Sequence, residues 1–266
     1  MKPRTTLLLA LFALALQACQ NSSPTPPAAA PNGEAILKHK YWVSKEFSDA
    51  LLKEIVADTL NSIPCSELIF TKKDTLLLTA CMSDAGRATF KATGPNTLDI
   101  ALEGMENEPV KAIFEARTGV LTLHFPGDST GAGRLQLVAR DEITLGKDDF
   151  DGTVKLARLR LSGTYKALEA KAKAPQITLN QDGSHIGLSK DFDRYEPWPA
   201  GVGGYIEARK NLMYLENKGK EPGWNALAWQ LRGDTLRLWE TKNIGKPDEM
   251  PEYQITSLLG TYLKQR

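Results

Sequence analysis

The side chains with which this 266-residue chain could do chemistry are few: three cysteines, three histidines and scattered carboxylates. Gly127-Asp128-Ser129-Thr130-Gly131 spells G-x-S-x-G, the pattern of a nucleophile elbow, in which a serine sits on a sharp turn from strand to helix. The strand-like run V-L-T-L-H-F precedes it. A-G-R-L-Q-L-V-A-R after it alternates as another strand, so the stretch reads as a hairpin loop. His39, His124 and His185 stand far apart, and none lies at metal-ligand spacing from another histidine or a cysteine. His124 falls between Leu123 and Phe125 on a strand, and His185 follows a turn, where it is expected to be exposed. Asp191, Asp193 and Glu196 cluster in D-F-D-R-Y-E, where carboxylates could serve as acid and base or hold calcium. Lys190 and Arg194 in the same stretch make it read as a solvated loop. Neither Asp148 nor Asp149 has a glutamate at its twelfth position, so these aspartates form no EF-hand loop. The glycines from Gly201 to Gly204 lack a βαβ context, so they are not read as a phosphate loop. Trp198 beside them is a candidate contact residue on a long loop. The chain therefore reads as a non-enzyme without a cofactor; a hydrolase using Ser129 is the catalytic alternative.

The amino terminus gives an address. Lys2 and Arg4 precede an unbroken apolar run from Leu7 to Leu16. That is half of the roughly 20 residues a spanning helix needs, and it has the length of a signal-peptide core. The run Leu16-Gln17-Ala18-Cys19 resembles the lipobox of bacterial lipoproteins, although Gln17 departs from the commonest residue at its position. The resemblance implies cleavage after residue 18 and lipidation of Cys19, with several acyl chains holding the protein firmly to a membrane. Residues 19–33 form a Pro/Ser/Ala tract that buries no core and reads as a tether; extended, it spans roughly 40 Å at about 3.1 Å per residue. Gln20 and Asn21 follow the cysteine where, in the lipoprotein family, an aspartate favours inner-membrane retention. The resemblance thus implies the outer membrane, with the domains on its periplasmic face.

An exported chain meets an oxidising compartment, so Cys65 and Cys81 read as a disulfide. Two strand-like runs flank Lys72-Lys73-Asp74. Centring a hairpin on Lys73 sets Phe70 opposite Leu76, Leu68 opposite Leu78 and Cys65 opposite Cys81. The even positions then form an apolar inner face. Closing this loop contributes about 3 kcal/mol in the chain-entropy account.

The elements that must position these residues are mostly strands. One helix is expected: Ser44 can cap it, and Phe47, Leu51 and Ile55 recur at helical spacing through about Ala57. From Cys65 onward the period is two, with turn signals every 10 to 15 residues or so. Gly94-Pro95-Asn96 and Thr118-Gly119 mark hairpins, the second pairing Phe114 with Leu123 and Ala116 with Leu121. The polar stretch from Gly146 to Gly152 marks a boundary, dividing a first β domain, 34–146, from a second, 147–266. The second block opens with K-L-A-R-L-R-L-S-G-T-Y-K, where leucine and arginine alternate. Asp182-Gly183 is read as a two-residue turn pairing Leu179 with Ile186 and Ile177 with Leu188. Gly233-Asp234 pairs Leu231 with Leu236 and Trp229 with Leu238. Trp229 then points into the core, and Trp239 points away from it, free to cover the first block or a partner.

Each block has close to eight short antiparallel strands, which predicts a mainly β chain of two tandem small barrels with one short N-terminal helix; the alternative is a single large β-sandwich. Gly163-Thr164-Tyr165 at the head of a strand resembles the Gly-x-Trp start of lipocalin-type barrels, with Tyr in place of Trp. Tyr41-Trp42 is a cruder counterpart in the first block, and Gly260-Thr261-Tyr262 repeats the tripeptide near the end. The resemblance implies either a small apolar ligand held among Leu, Tyr and Trp inside a barrel, or no ligand at all. With hydrophobic residues at 42%, charged residues at 24% and a net charge of +1, the chain is an ordinary globular protein without the basic surface that nucleic acid requires. The expected partners are the membrane, through the lipid anchor, and a small apolar ligand or an envelope protein.

Overall fold

A computed structural model describes residues 33–55, 60, 66–72, 74–79, 86–103, 108–127, 134–145, 152–199, 205–206, 210–217, 225–246 and 251–266. Cys19, Cys65, Cys81, Ser129, Asp148, Asp149 and the tether lie outside them, as does residue 73, the centre of the first hairpin.

The first unit closes as an eight-stranded antiparallel barrel. Its strands are β1 (Tyr41–Ser44), β3 (Glu67–Lys72), β4 (Thr75–Thr79), β5 (Gly86–Gly94), β6 (Thr97–Leu102), β7 (Val110–Glu115), β8 (Val120–His124) and β9 (Arg134–Ala139). Closure falls to β1, whose Trp42 lies opposite Leu68 of β3 on one side and Ala139 of β9 on the other. The strands form because their apolar residues alternate. In β7, Val110, Ala112 and Phe114 are buried while Lys111, Ile113 and Glu115 are exposed. The hairpin β3–β4 has the expected register, Leu68 opposite Leu78 and Phe70 opposite Leu76, and its even positions face the barrel interior. That interior is filled. Trp42, Leu76, Leu98 and Leu121 are fully buried in it, and the one-turn helix α1 (Glu34–Leu37) inserts Ile36 among them. Gly33 precedes α1 at φ 61 and donates its N–H to the Gly94 carbonyl at 3.1 Å. A Cβ there would lie 2.6 Å from Leu98 Cδ2, so a glycine is required for this close approach.

The second unit is a curled antiparallel sheet whose ladder does not close. Its strands are β10 (Gly163–Ala167), β11 (Gln176–Leu179), β12 (His185–Ile186), β13 (Arg194–Trp198), β15 (Asn211–Glu216), β16 (Ala226–Arg232), β17 (Thr235–Asn243) and β18 (Glu252–Lys264), in the order β12-β11-β10-β18-β17-β16-β15-β13. Short β14 (Tyr205–Ile206) pairs with β18 in parallel. The two edges meet at one isolated bridge, Ser184 to Arg194, beside which Tyr195 donates its N–H to Gly183 O at 2.7 Å. The turn at Gly233-Asp234 gives the expected pairs, Leu231 with Leu236 and Trp229 with Leu238.

Two helices join the units. α2 (Lys45–Lys53) follows β1, and α3 (Gly152–Leu161) precedes β10. Val154, Ala157 and Leu161 of α3 are fully buried. One continuous apolar cluster contains Leu156, Ala157 and Leu161 of α3, Phe47 and Leu51 of α2, the outward faces of β1 and β3 (Tyr41, Val43, Ile69), and the inner face of the second sheet around Trp229, Tyr165 and Tyr195. β2 (Glu54–Ile55), which leads out of α2, pairs with β16 of the second sheet, Ile55 opposite Leu231. Asn211 fixes this joint, its Nδ2 donating to Ile55 O at 3.1 Å. Arg160 of α3 donates from Nε to Leu52 O at 2.8 Å and from Nη2 to Gly233 O at 2.7 Å, linking both helices to the β16–β17 turn. At the centre lies Glu67 of β3, fully buried. Its Oε1 accepts from Tyr41 Oη at 2.6 Å and from Thr153 Oγ1 of α3 at 2.7 Å. Gly152 lies flat on the Tyr41 ring, where a Cβ would be 2.4 Å from Cζ.

Mainly β architecture in two successive antiparallel units, the first a small barrel, is thus the fold. Five details depart from the sequence reading. The second sheet stays open along its ladder rather than closing as a second barrel. Residues 155–161 form part of α3 rather than a strand, because a helix buried nearly all round needs no apolar stripe. The Thr118-Gly119 hairpin has a four-residue loop, with Gly119 at φ 70, and pairs Phe114 with Leu121 and Ala112 with Leu123, two residues from the expected register but with the same face inward. The Asp182-Gly183 loop holds three residues, with Gly183 at φ 85, and sets Leu179 opposite His185. This one-residue slip turns Ile186 outward, 68% exposed. α2 also stops at Lys53, so Ile55 lies on β2 rather than in the helix.

Two substitutions test the joint. Gly152→Ala should cost about 1–3 kcal/mol by overpacking against Tyr41. Glu67→Ala should cost about 1–3 kcal/mol for each buried hydroxyl left without its acceptor. Urea unfolding reads both; an unchanged midpoint in either variant contradicts the assignment.

Candidate functional site

Among the described residues, the structure does not gather the sequence-predicted polar residues into one site. His39, between α1 and β1, donates from Nδ1 to the Asp141 carboxylate at 2.8 Å and meets the Trp42 ring edge-on, centroids 5.1 Å apart. It caps one end of the barrel interior. His124 ends β8 opposite Lys111 and Arg134. The stretch that follows the Ser129 loop is strand β9, not the helix that a nucleophile elbow requires. Asp191 and Asp193 are exposed. Glu196 on β13 is half-buried and accepts from Trp198 Nε1 at 2.9 Å. Trp198 packs with Leu212, Tyr214 and Tyr253 on the outer face of the second sheet. Trp229 is fully buried and donates from Nε1 to Leu212 O at 2.7 Å. Trp239 faces outward, with Lys210 Nζ 5.1 Å from its ring centre.

His185 differs from its expected exposure. The slipped register places it on β12 beside the seam, with both ring nitrogens buried and without a hydrogen-bond partner. Burial lowers its pKa, and the nearby Asp193 carboxylate opposes that shift. Burial likewise raises the hydroxyl pKa of Tyr165 and Tyr195 inside the sheet. Tyr165, the aromatic of Gly163-Thr164-Tyr165, is fully buried and donates to Leu161 O at 2.6 Å, joining α3 to β10.

Among the clefts lined by the described residues, two lie at the ends of the units. One, of about 270 Å³, lies at an end of the barrel and is lined by Ile100, Leu102, Val110, Phe125 and Pro126 among others. The other, of about 470 Å³, opens on the second sheet between the loop holding Phe192, the start of β16 and the bulged middle of β17 and β18. There Glu240 accepts from Lys173 Nζ at 3.1 Å and from Ser257 Oγ at 2.9 Å, and these bonds lower its pKa. Neither cleft was found from the sequence. Its walls come from segments distant along the chain, and no motif marks them.

The lowered His185 pKa carries a signed consequence. The folded state disfavours the imidazolium, so stability contributed by neutral His185 is complete above the ordinary histidine range and falls as pH drops through that range. His185→Asn should therefore lose less stability than the parent chain when urea unfolding is compared at about pH 7.5 and about pH 5. Equal losses contradict this.

Comparison with family models, curated proteins and solved structures finds no match for this chain.

Proposed function

We propose that this chain is a lipid-anchored, non-enzymatic protein of the bacterial outer membrane, facing the periplasm, that works through its surfaces as an envelope interaction or maintenance module. The observation that carries this reading is the filling of both interiors. The barrel holds Trp42, Phe114 and the plug helix α1 where a carrier would hold its ligand. The inner face of the second sheet is covered by α3 and by Trp229, Tyr165 and Tyr195. A carrier of apolar molecules needs a mostly apolar cavity of a few hundred Å³ that buries most of its ligand. The anchor and the compartment rest on the lipobox-like Leu16-Gln17-Ala18-Cys19, and the Cys65–Cys81 disulfide rests on that oxidising compartment and on the hairpin register read from the sequence. Strand β9 after the Ser129 segment argues against a nucleophile elbow there, the catalytic alternative that the sequence offers.

A second reading keeps the small apolar ligand but moves it. The apolar cleft at the barrel end, walled by Ile100, Leu102, Val110 and Phe125, could take a short acyl or aromatic group at the rim rather than inside.

Native mass spectrometry of the gently extracted protein, before and after organic extraction, separates these readings. The interaction reading expects one mass, that of a chain beginning at a lipidated Cys19, unchanged when envelope lipids are added. A discrete extra mass removed by solvent supports the carrier reading, and a free thiol at Cys19 overturns the anchor.

A further inference from the structure

We propose that the cleft of the second sheet binds a neutral saccharide. The site is built from three kinds of surface. Its floor is apolar: Leu215 and Leu227 belong to the shared core yet remain 6% and 7% exposed, and Phe192 packs beside them, partly buried. Its wall is the Glu240 carboxylate, fixed by Lys173 Nζ and Ser257 Oγ. β18 bulges twice against β17, at Leu238/Trp239 and at Glu240/Thr241, and the loop carrying Lys173 is tied to the bulged stretch by Lys173 N–H donating to Leu259 O at 2.9 Å. Its rim adds the amide side chains of Asn225 and Asn243.

This combination selects the ligand class. A pyranose has an apolar C–H face and an edge of hydroxyls that both donate and accept. The floor offers the first a surface, while carboxylate, ammonium and amides offer the second both kinds of partner. Charge argues for a neutral ligand: Lys173 and Lys242 balance Asp191 and Glu240 around the cleft, so an ion of either sign gains no net attraction. Glu240 is held ionised by its two donors, so it remains an acceptor for a sugar hydroxyl across the ordinary pH range. The volume, about 470 Å³, falls within the roughly 300–1,000 Å³ of small-molecule sites. The proposal is independent of the filled interiors, because the cleft lies at the rim of the sheet and displaces no core residue.

The test uses the full, detergent-solubilised chain titrated calorimetrically with N,N′,N″-triacetylchitotriose, maltotriose and, as the charged comparison, trigalacturonic acid. At least one neutral sugar should bind with a Kd of about 1 mM or tighter, and Phe192→Ala and Glu240→Gln should each weaken it about tenfold. Because Phe192 also packs on the core, the side-chain amide signals of Asn225 and Asn243 are followed by NMR in the unsubstituted chain, where they should shift on adding the same sugar. Three results overturn the proposal: neither neutral sugar reaching that affinity, binding that leaves both amides and both variants unchanged, or tighter binding of the acidic sugar.

Discussion

The structure turns on a buried carboxylate. Glu67 sits on the outer face of the barrel with no exposure to water and accepts from Tyr41 on the neighbouring strand and Thr153 at the start of α3. Burying a carboxylate is costly unless hydrogen bonds replace its hydration. The two donors to Oε1 come from both units, so they meet at Glu67 only when the barrel and α3 are docked. The same demand explains Gly152, which lets the helix start flat against the Tyr41 ring. From this contact α3 is positioned, and from α3 the inner face of the second sheet is filled.

Docking in this way makes the two units share one core. Tyr41, Val43 and Ile69 point out of the barrel into the same cluster that holds Trp229 and Leu236 of the second sheet. β2 crosses from the N-terminal segment to extend that sheet next to Leu231. The second sheet can stay open along its ladder because its edges need only the single bridge between Ser184 and Arg194. Its hydrophobic interior is covered by α3, not by closure of the strands. Among the described residues, the accessible clefts include an apolar one at the barrel end and a polar one on the second sheet.

Much of this was legible in the residues, where local rules coincide with the global fold. The register of β3–β4 followed from period-two leucines around a short turn, and that of β16–β17 from Gly233-Asp234. The hairpins at Gly119 and Gly183 were displaced because a glycine with positive φ serves longer loops as readily as two-residue ones. His185 was misjudged for that reason alone, since one residue of slip changes its surroundings. α3 was invisible because Arg158, Leu159, Arg160 and Leu161 alternate with the period of a strand and run on into the strand residues after Gly163, while a helix covered on nearly every side follows no single stripe. The Glu67 contact and the polar cleft depend on residues far apart in sequence, Glu67 with Thr153 and Lys173 with Glu240, and no local pattern encodes such meetings.

The shared core makes barrel and second sheet one cooperative body. Native-state hydrogen exchange addresses it directly, by comparing the backbone amides of Leu121 and Leu137 inside the barrel with those of Trp229 and Leu238 in the second sheet. A shared core demands that the slowest amides of both sets open with the same free energy and the same dependence on denaturant. If one set exchanges through an opening that leaves the other fully protected, the units are separate bodies and the role given to Glu67 is wrong.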